Sequence, residues 1–484
     1  MEQNKKKFLK NMVGFSMVTW ISFVLGFLAS PIATRLFPTE EMGRLNLFTS
    51  YTTLFANVCY LGLDQAFVRF FRDREGTRGR SSLFTFCLAV PFGFAALSTA
   101  VMGCFWRSVS TEIIGGPDVG VFVCLAVYSV CGILYRFLAL CYRMEQNVLL
   151  YTIQGVLHTL VTKIAYLAVG FARPTGKAAL VCLTVLMGVF TLVFIILQRS
   201  RFNLHFFREL ERPARRAAVQ FALPLMPLSL LMWLTSYTSP LVLKHLMGYS
   251  ATGIYTSALA LASTINIIQT GFNTYWAPYV LENYETDDSR RFYTVHRLMA
   301  CLLTLFGLGI TIFQTPVFLL LGKAYRESVV YFPFLFLSPI CYCLGETTGM
   351  GVTIAKKTYW TTIIYLFSAV INIALCFAFI PVMGMAGAAL ASALSAVLTL
   401  LLRTKVGEHY YRVLKSWKYL IYTIGLMGVA SFANLWLTGA VKYAALTAVL
   451  ALACFLYRDE LKTLFTTAAQ LVSALLRRGK KGNA

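Results

Sequence analysis

Apolar runs of about twenty residues alternate with short polar breaks along almost the whole chain. They fall near 11–34, 42–67, 82–106, 119–140, 147–171, 178–197, 217–243, 252–280, 298–321, 329–353, 359–380, 385–402, 419–437 and 441–457. A helix crosses the hydrocarbon core with about 20 mostly apolar residues. The pattern therefore predicts an all-α, polytopic membrane protein of about fourteen transmembrane helices. The breaks are too short to hold a sizeable soluble domain. The first run is too long for a signal-peptide core and reads as the first span.

Composition removes the alternatives. The chain is 58% hydrophobic and 13% charged, the latter about half the usual share of roughly 25%. Such an excess of apolar residues fits neither a soluble enzyme nor a disordered chain. The twelve cysteines lie mostly inside apolar runs, without disulfide-framework or zinc spacing, and read as small apolar fillers.

The net charge is +23, from 43 Lys and Arg against 20 Asp and Glu. The basic residues sit in short clusters between apolar runs, which is the positive-inside pattern rather than a nucleic-acid footprint. With the N-terminus inside, cytoplasmic segments collect 33 of the 43, counting Arg136 near the inner end of the fourth run, chiefly within 69–80, 199–216, 403–418 and 458–481. An even span number puts both termini in the cytoplasm. After Tyr457, Leu461, Leu464, Phe465, Ala468, Val472 and Leu475 recur at helical spacing beside Lys462, Arg477 and Arg478. This predicts an amphipathic helix on the anionic lipids of the cytoplasmic face.

The two halves resemble each other. Ser30–Leu36 aligns with Ser239–His245 at an offset of 209, and Glu41-Met42-Gly43-Arg44 with Ala251-Thr252-Gly253-Ile254 at 210. Thr175–Leu180 aligns with Ala386–Leu390 after one more residue of shift. Six spans per repeat give both units one orientation, as in transporters whose parallel repeats flank a central site. The expected organisation is an N-lobe over 1–197, a basic linker over 198–216 and a C-lobe over 217–402. Two further spans over 403–457 and a basic tail over 458–484 complete it.

Charge inside a span is costly and points to function. Lys163 lies well inside the fifth span, beside a stripe of Gln154, His158, Thr162 and Tyr166. It is the first candidate for binding an anionic group such as a phosphate; the competing reading is a paired or snorkelling lysine. Arg35, Arg44 and Lys244, at the outer ends of spans, are further candidates, as solvated loop residues are their plainer reading. The second span carries the polar row Asn46, Ser50, Thr53, Asn57, Tyr60 and Asp64; the eighth carries Thr252, Thr256, Ser263, Asn266, Thr270 and Asn273. Rows on equivalent spans favour a hydrated cavity over a helix–helix seam, making Asn57, Asn266 and Asn273 candidates too. Only Asp64 and Glu346 are acidic residues within spans, so they are the candidates for ion coupling. Pro224, Pro227 and Pro240 predict a kinked seventh helix. There is no nucleotide-binding loop, metal cluster or nucleophile elbow, so no cofactor is expected.

With these features in place, the chain resembles the bacterial polysaccharide flippases of the multidrug/oligosaccharidyl-lipid/polysaccharide exporter superfamily. The resemblance rests on fourteen spans, two six-span lobes, Arg35-Leu36-Phe37-Pro38-Thr39-Glu40-Glu41-Met42-Gly43-Arg44-Leu45 and Gly384–Ser392. It implies a transporter rather than an enzyme, in the bacterial cytoplasmic membrane. The implied cargo is an undecaprenyl-pyrophosphate-linked oligosaccharide, moved by alternating access through a cationic cavity. Polysaccharide polymerase and export machinery are the implied partners. A multidrug exporter or a peptidoglycan-precursor flippase would share the fold. A cation exporter would want acidic cavity groups, and a precursor flippase more arginines in the first two spans. A membrane glycosyltransferase or polymerase would want a sizeable catalytic loop.

Overall fold

The computed structural model describes residues 2–466 apart from 75, 204 and 286–288. Its regular elements are all helices, with no strand among the described residues. In hydrocarbon each backbone N–H and C=O must be satisfied within the spanning segment, and a helix does this alone.

The chain divides into two compact units. The first runs to Ile267 and takes in Leu321–Tyr325; the second begins at Ile268. The first unit holds α1 (Glu2–Leu36), α2 (Thr39–Cys59), α3 (Leu63–Phe70), α4 (Gly76–Gly103), α5 (Trp106–Ile114) and α6 (Val119–Met144). It continues with α7 (Val148–Thr159), α8 (Leu167–Ala172), α9 (Gly176–Leu197), α10 (Phe206–Glu209), α11 (Arg212–Ala222) and α12 (Met226–Ala262). Its core is aromatic and aliphatic, with Phe67, Phe84, Cys87 and Phe137 almost fully buried. Asp118 starts α6 by accepting from the Gly120 and Val121 amides at 2.8 and 3.3 Å. Its bond to the Lys177 ammonium, in the first turn of α9, holds the carboxyl below the ordinary carboxylate value.

The second unit holds the remaining helices: α13 (Asn266–Asn283), α14 (Ser289–Leu320), α15 (Phe332–Thr348), α16 (Met350–Ile354), α17 (Tyr359–Met383), α18 (Met385–Tyr410), α19 (Lys418–Trp436) and α20 (Gly439–Leu456). Gln314 of α14 bonds Asn434 of α19 at 2.5 Å, and the Asn434 amide reaches the Val329 and Val330 carbonyls. Thr304 and Thr423 share a buried bond of 2.9 Å on the same pair of helices.

Among the described residues, eleven helical stretches are long and apolar enough to span, or twelve with Lys323–Val330 and Phe332–Thr348, which meet at 64°. Fourteen is thus not the number the helices give, for two local reasons. The seventh and eighth spans run together through 212–265, and α2 is absent because its polar row dilutes its hydropathy. The break between spans seven and eight is at Gly248, where φ is +85° and ψ −174°, a conformation open to glycine. The α-helix is interrupted within the predicted seventh span, by a 3₁₀ turn over Leu223–Leu225. Pro224 and Pro227 sit in the first turns of a 3₁₀ segment and of α12, where no backbone donor is required, and Pro240 is carried inside the helix. The tail helix is described only to Thr466. The rest of the predicted amphipathic stripe, from Ala468 on, lies outside the described residues.

Candidate functional site

The site begins with the meeting of α2 and α12. A Cβ on Gly43 would overlap the Tyr249 carbonyl oxygen, and one on Gly253 would overlap the Thr39 carbonyl oxygen. Thr39 and Tyr249, like Gly43 and Gly253, differ by 210 in number, so the contact is reciprocal. Asn46 donates to Thr256 Oγ1 at 2.7 Å, again a pair 210 apart, and Thr39 bonds Ser250 at 2.7 Å. Trp233 adds an indole bond to the Ser50 carbonyl at 3.2 Å. This part of the two polar rows is therefore a close helix seam, not a cavity wall. Missing side chains let the backbones approach, and the polar groups satisfy one another. Further along α2, Thr53 is exposed and Asn57 half-buried. Asn266 is exposed, and Asn273 keeps its buried Oδ1 without a hydrogen bond.

Two cations expected to be open to a phosphate are already engaged beside this seam. Arg44 pairs with Glu40 at 2.7 Å and Glu41 at 2.6 Å, and Glu41 also accepts from the Gly176 amide at the start of α9. Lys244 pairs with Glu112 at 2.6 Å. The Tyr249 ring lies 5.5 Å from the Arg44 guanidinium and 5.7 Å from the Lys244 ammonium. Each charge is neutralised by local carboxylates, so neither stands as a free anion site. Arg35, two residues before Phe37, is exposed.

Lys163 differs from both. The helix from Val148 does not run evenly to Ala172: residues Leu160–Ala165 form a π turn, with Lys163 inside it. Such turns insert a residue into the helical register and re-aim a side chain. The segment packs on α1, where Ser22 and Thr159 bond at 2.6 Å and Gly155 admits Val18. Lys163 keeps an exposed side chain, and among the described residues it has no ion-pair partner. Its companions on the predicted stripe are less available. Gln154 is fully buried, with neither amide atom hydrogen-bonded, so a ligand does not reach it. His158 stacks on Tyr135, the rings 3.8 Å apart and parallel within 1°. It forms an aromatic wall with Phe190 at 5.9 Å.

The two acidic candidates are also paired, each with an arginine near the end of a span. Arg136 of α6 reaches Asp64 at 3.0 Å, and Gln65 donates to the same oxygen at 2.8 Å. Arg403 lies inside α18 and reaches Glu346 of α15 at 3.2 Å. Gly345 and Gly349 make room for its guanidinium; side chains there would press on it. Arg136 and Glu346 are themselves 210 apart, so equivalent places in the two repeats carry opposite charges with different partners. An arginine-bound carboxylate is a poor free proton relay, which turns both pairs towards structural roles. Arg136 was visible as a charge in an apolar run; nothing local marked Arg403.

The geometry can be set beside known proteins. No curated protein matches the sequence. Among solved structures, the fold is similar to one described as "Lipid II flippase MurJ, inward closed conformation". Its TM-score is 0.63 at 13% identity, covering 92% of this chain and 99% of that one. It is also similar to the inward-facing conformation of a multidrug resistance MATE family transporter of the MOP superfamily. There the TM-score is 0.58 at 14% identity, covering 80% and 94%. At these identities the likeness is one of fold. The family described as "Polysaccharide biosynthesis protein" matches residues 8–284, more than half of the chain. The chain is a multi-pass membrane protein whose fold is similar to that of these structures, and it belongs to the polysaccharide biosynthesis protein family.

Proposed function

We propose that this protein flips an undecaprenyl-pyrophosphate-linked oligosaccharide across the bacterial cytoplasmic membrane by alternating access. The observation that carries the reading is Lys163, an intramembrane cation with an exposed side chain and no carboxylate partner among the described residues. A pyrophosphate supplies the missing negative charge. The family match and the reciprocal contacts between positions 210 apart support a two-lobed exporter. In this reading, spans one to six and seven to twelve are the lobes, and both termini are cytoplasmic. The α2–α12 seam closes the outer end while the cytoplasmic end admits cargo. Lys163 meets the charged head group and the polyprenyl tail stays in lipid. Delivered glycan passes to polysaccharide polymerase and export machinery.

The test is transport by the purified chain in proteoliposomes holding a polyprenyl-pyrophosphate oligosaccharide. An impermeant glycan-modifying reagent reports which leaflet the glycan occupies. The reading expects protein-dependent movement of the glycan lipid and none of a cationic dye. Movement of the dye alone would make the protein a small-molecule exporter and overturn it.

A further inference from the structure

A cavity lies away from Lys163, where the end of α18 turns into the start of α19. It measures about 640 Å³ and is lined by Trp360, Lys405, His409, Tyr410, Arg412, Lys415 and Trp417, among others. Three features define it. First, its wall is built: Trp360 Nε1 donates to the Tyr410 hydroxyl at 2.9 Å, tying α17 to α18. Second, its acid is spent. Glu408 accepts from the Val413 and Leu414 amides at 2.8 and 3.0 Å, folding the loop back on the last turn of α18. Lys405, Arg412 and Lys415 are left exposed around the opening, and a fourth cation, Lys357, outside the lining, lies 5.7 Å from the Tyr410 ring. Third, aromatic side chains share that opening. Trp360, Tyr410 and Trp417 all line it, and Trp417 is 38% exposed. Trp and Tyr with Lys and Arg are the residues that seat a protein at the headgroup level of a bilayer.

We infer that this cavity binds the phosphate of a lipid headgroup in the leaflet it faces. Arg412 and the two lysines meet the phosphate oxygens, and Trp360 and Trp417 flank the glycerol or polyprenyl end. The inference rests on the proposed orientation, which puts residues 403–418 on the anionic cytoplasmic leaflet. A free phosphate would use the cations but leave the aromatic rim without a role.

The test is native mass spectrometry of the full chain in detergent, titrated with phosphatidylglycerol. Phosphatidylcholine of the same acyl chains is the neutral control. Lys405→Gln/Arg412→Gln/Lys415→Gln removes the cations, and Lys405→Arg/Arg412→Lys/Lys415→Arg keeps them. The wild type should retain phosphatidylglycerol over phosphatidylcholine by at least about tenfold. The Gln variant should lose that preference at unchanged melting temperature, and the charge-conserving variant should keep it. Equal retention by the Gln variant overturns the site, as does displacement of the lipid by an equal concentration of inorganic phosphate. Displacement by a polyprenyl pyrophosphate assigns the site to cargo loading; resistance to it assigns the site to a bilayer lipid. Binding is read without transport, so a protein that binds lipid but moves no glycan sinks the flippase reading and leaves this site standing.

Discussion

Insertion scales put the cost of a lysine at mid-span at roughly 2.5–3.5 kcal/mol, and at Lys163 no described carboxylate offsets it. Arg44, Lys244, Arg136 and Arg403 each have such an offset within 3.2 Å. Lys163→Ala should therefore cut glycan-lipid transport at least about tenfold, the loss of one charge-assisted contact, without lowering membrane yield or melting temperature. Lys163→Arg should keep most of the rate. Transport at the wild-type rate in Lys163→Ala would remove this residue from the mechanism. Lys163 was legible in the sequence because one charged letter interrupts an apolar run. Pairing was not legible. Glu112 lies 132 residues from Lys244, and Arg403 lies 57 from Glu346, so only the fold reveals that these charges are spent. The burial of Gln154 escaped the sequence for the same reason: a helical stripe names a face without naming what covers it.

The α2–α12 seam is the clearest device among the elements. Gly43 and Gly253 bring two backbones into contact, and Asn46 and Thr256 bond across the line between them. Alternating access requires this seam to part. Asn46→Cys/Thr256→Cys, in a background without the exposed Cys104 and Cys454, should cross-link in high yield under mild oxidant. Transport should stop on cross-linking and return with reductant. Full transport by the cross-linked protein would show that the seam is static. The polar rows on both helices were evident from their steps of three and four, and so was the offset of 210. Their use was misread, because a hydrated wall and a tight seam ask for the same small and polar residues. The boundary at Gly248 was also hidden, since one glycine in an apolar run shows no dihedral angle.

For the molecule as a whole, hydropathy alone predicted the all-helical membrane fold, because the bilayer leaves the backbone few choices. The span count was less secure where helices merge, as through 212–265, or carry polar rows, as α2 does. Sequence periodicity also placed the repeat boundary in the basic segment 198–216, whereas the compact units part near Ile267 because α12 lies along α2. Above all, the proposed function requires that this fold move a lipid-linked glycan. Deleting the gene in its host, and assigning the leaflet of extracted lipid-linked intermediates with an impermeant glycan-modifying reagent, is the decisive measurement. A flippase of this kind leaves, when deleted, an undecaprenyl-linked glycan accumulating on the cytoplasmic side while surface polysaccharide falls. Unchanged lipid-linked glycans with a rise in drug sensitivity would contradict it.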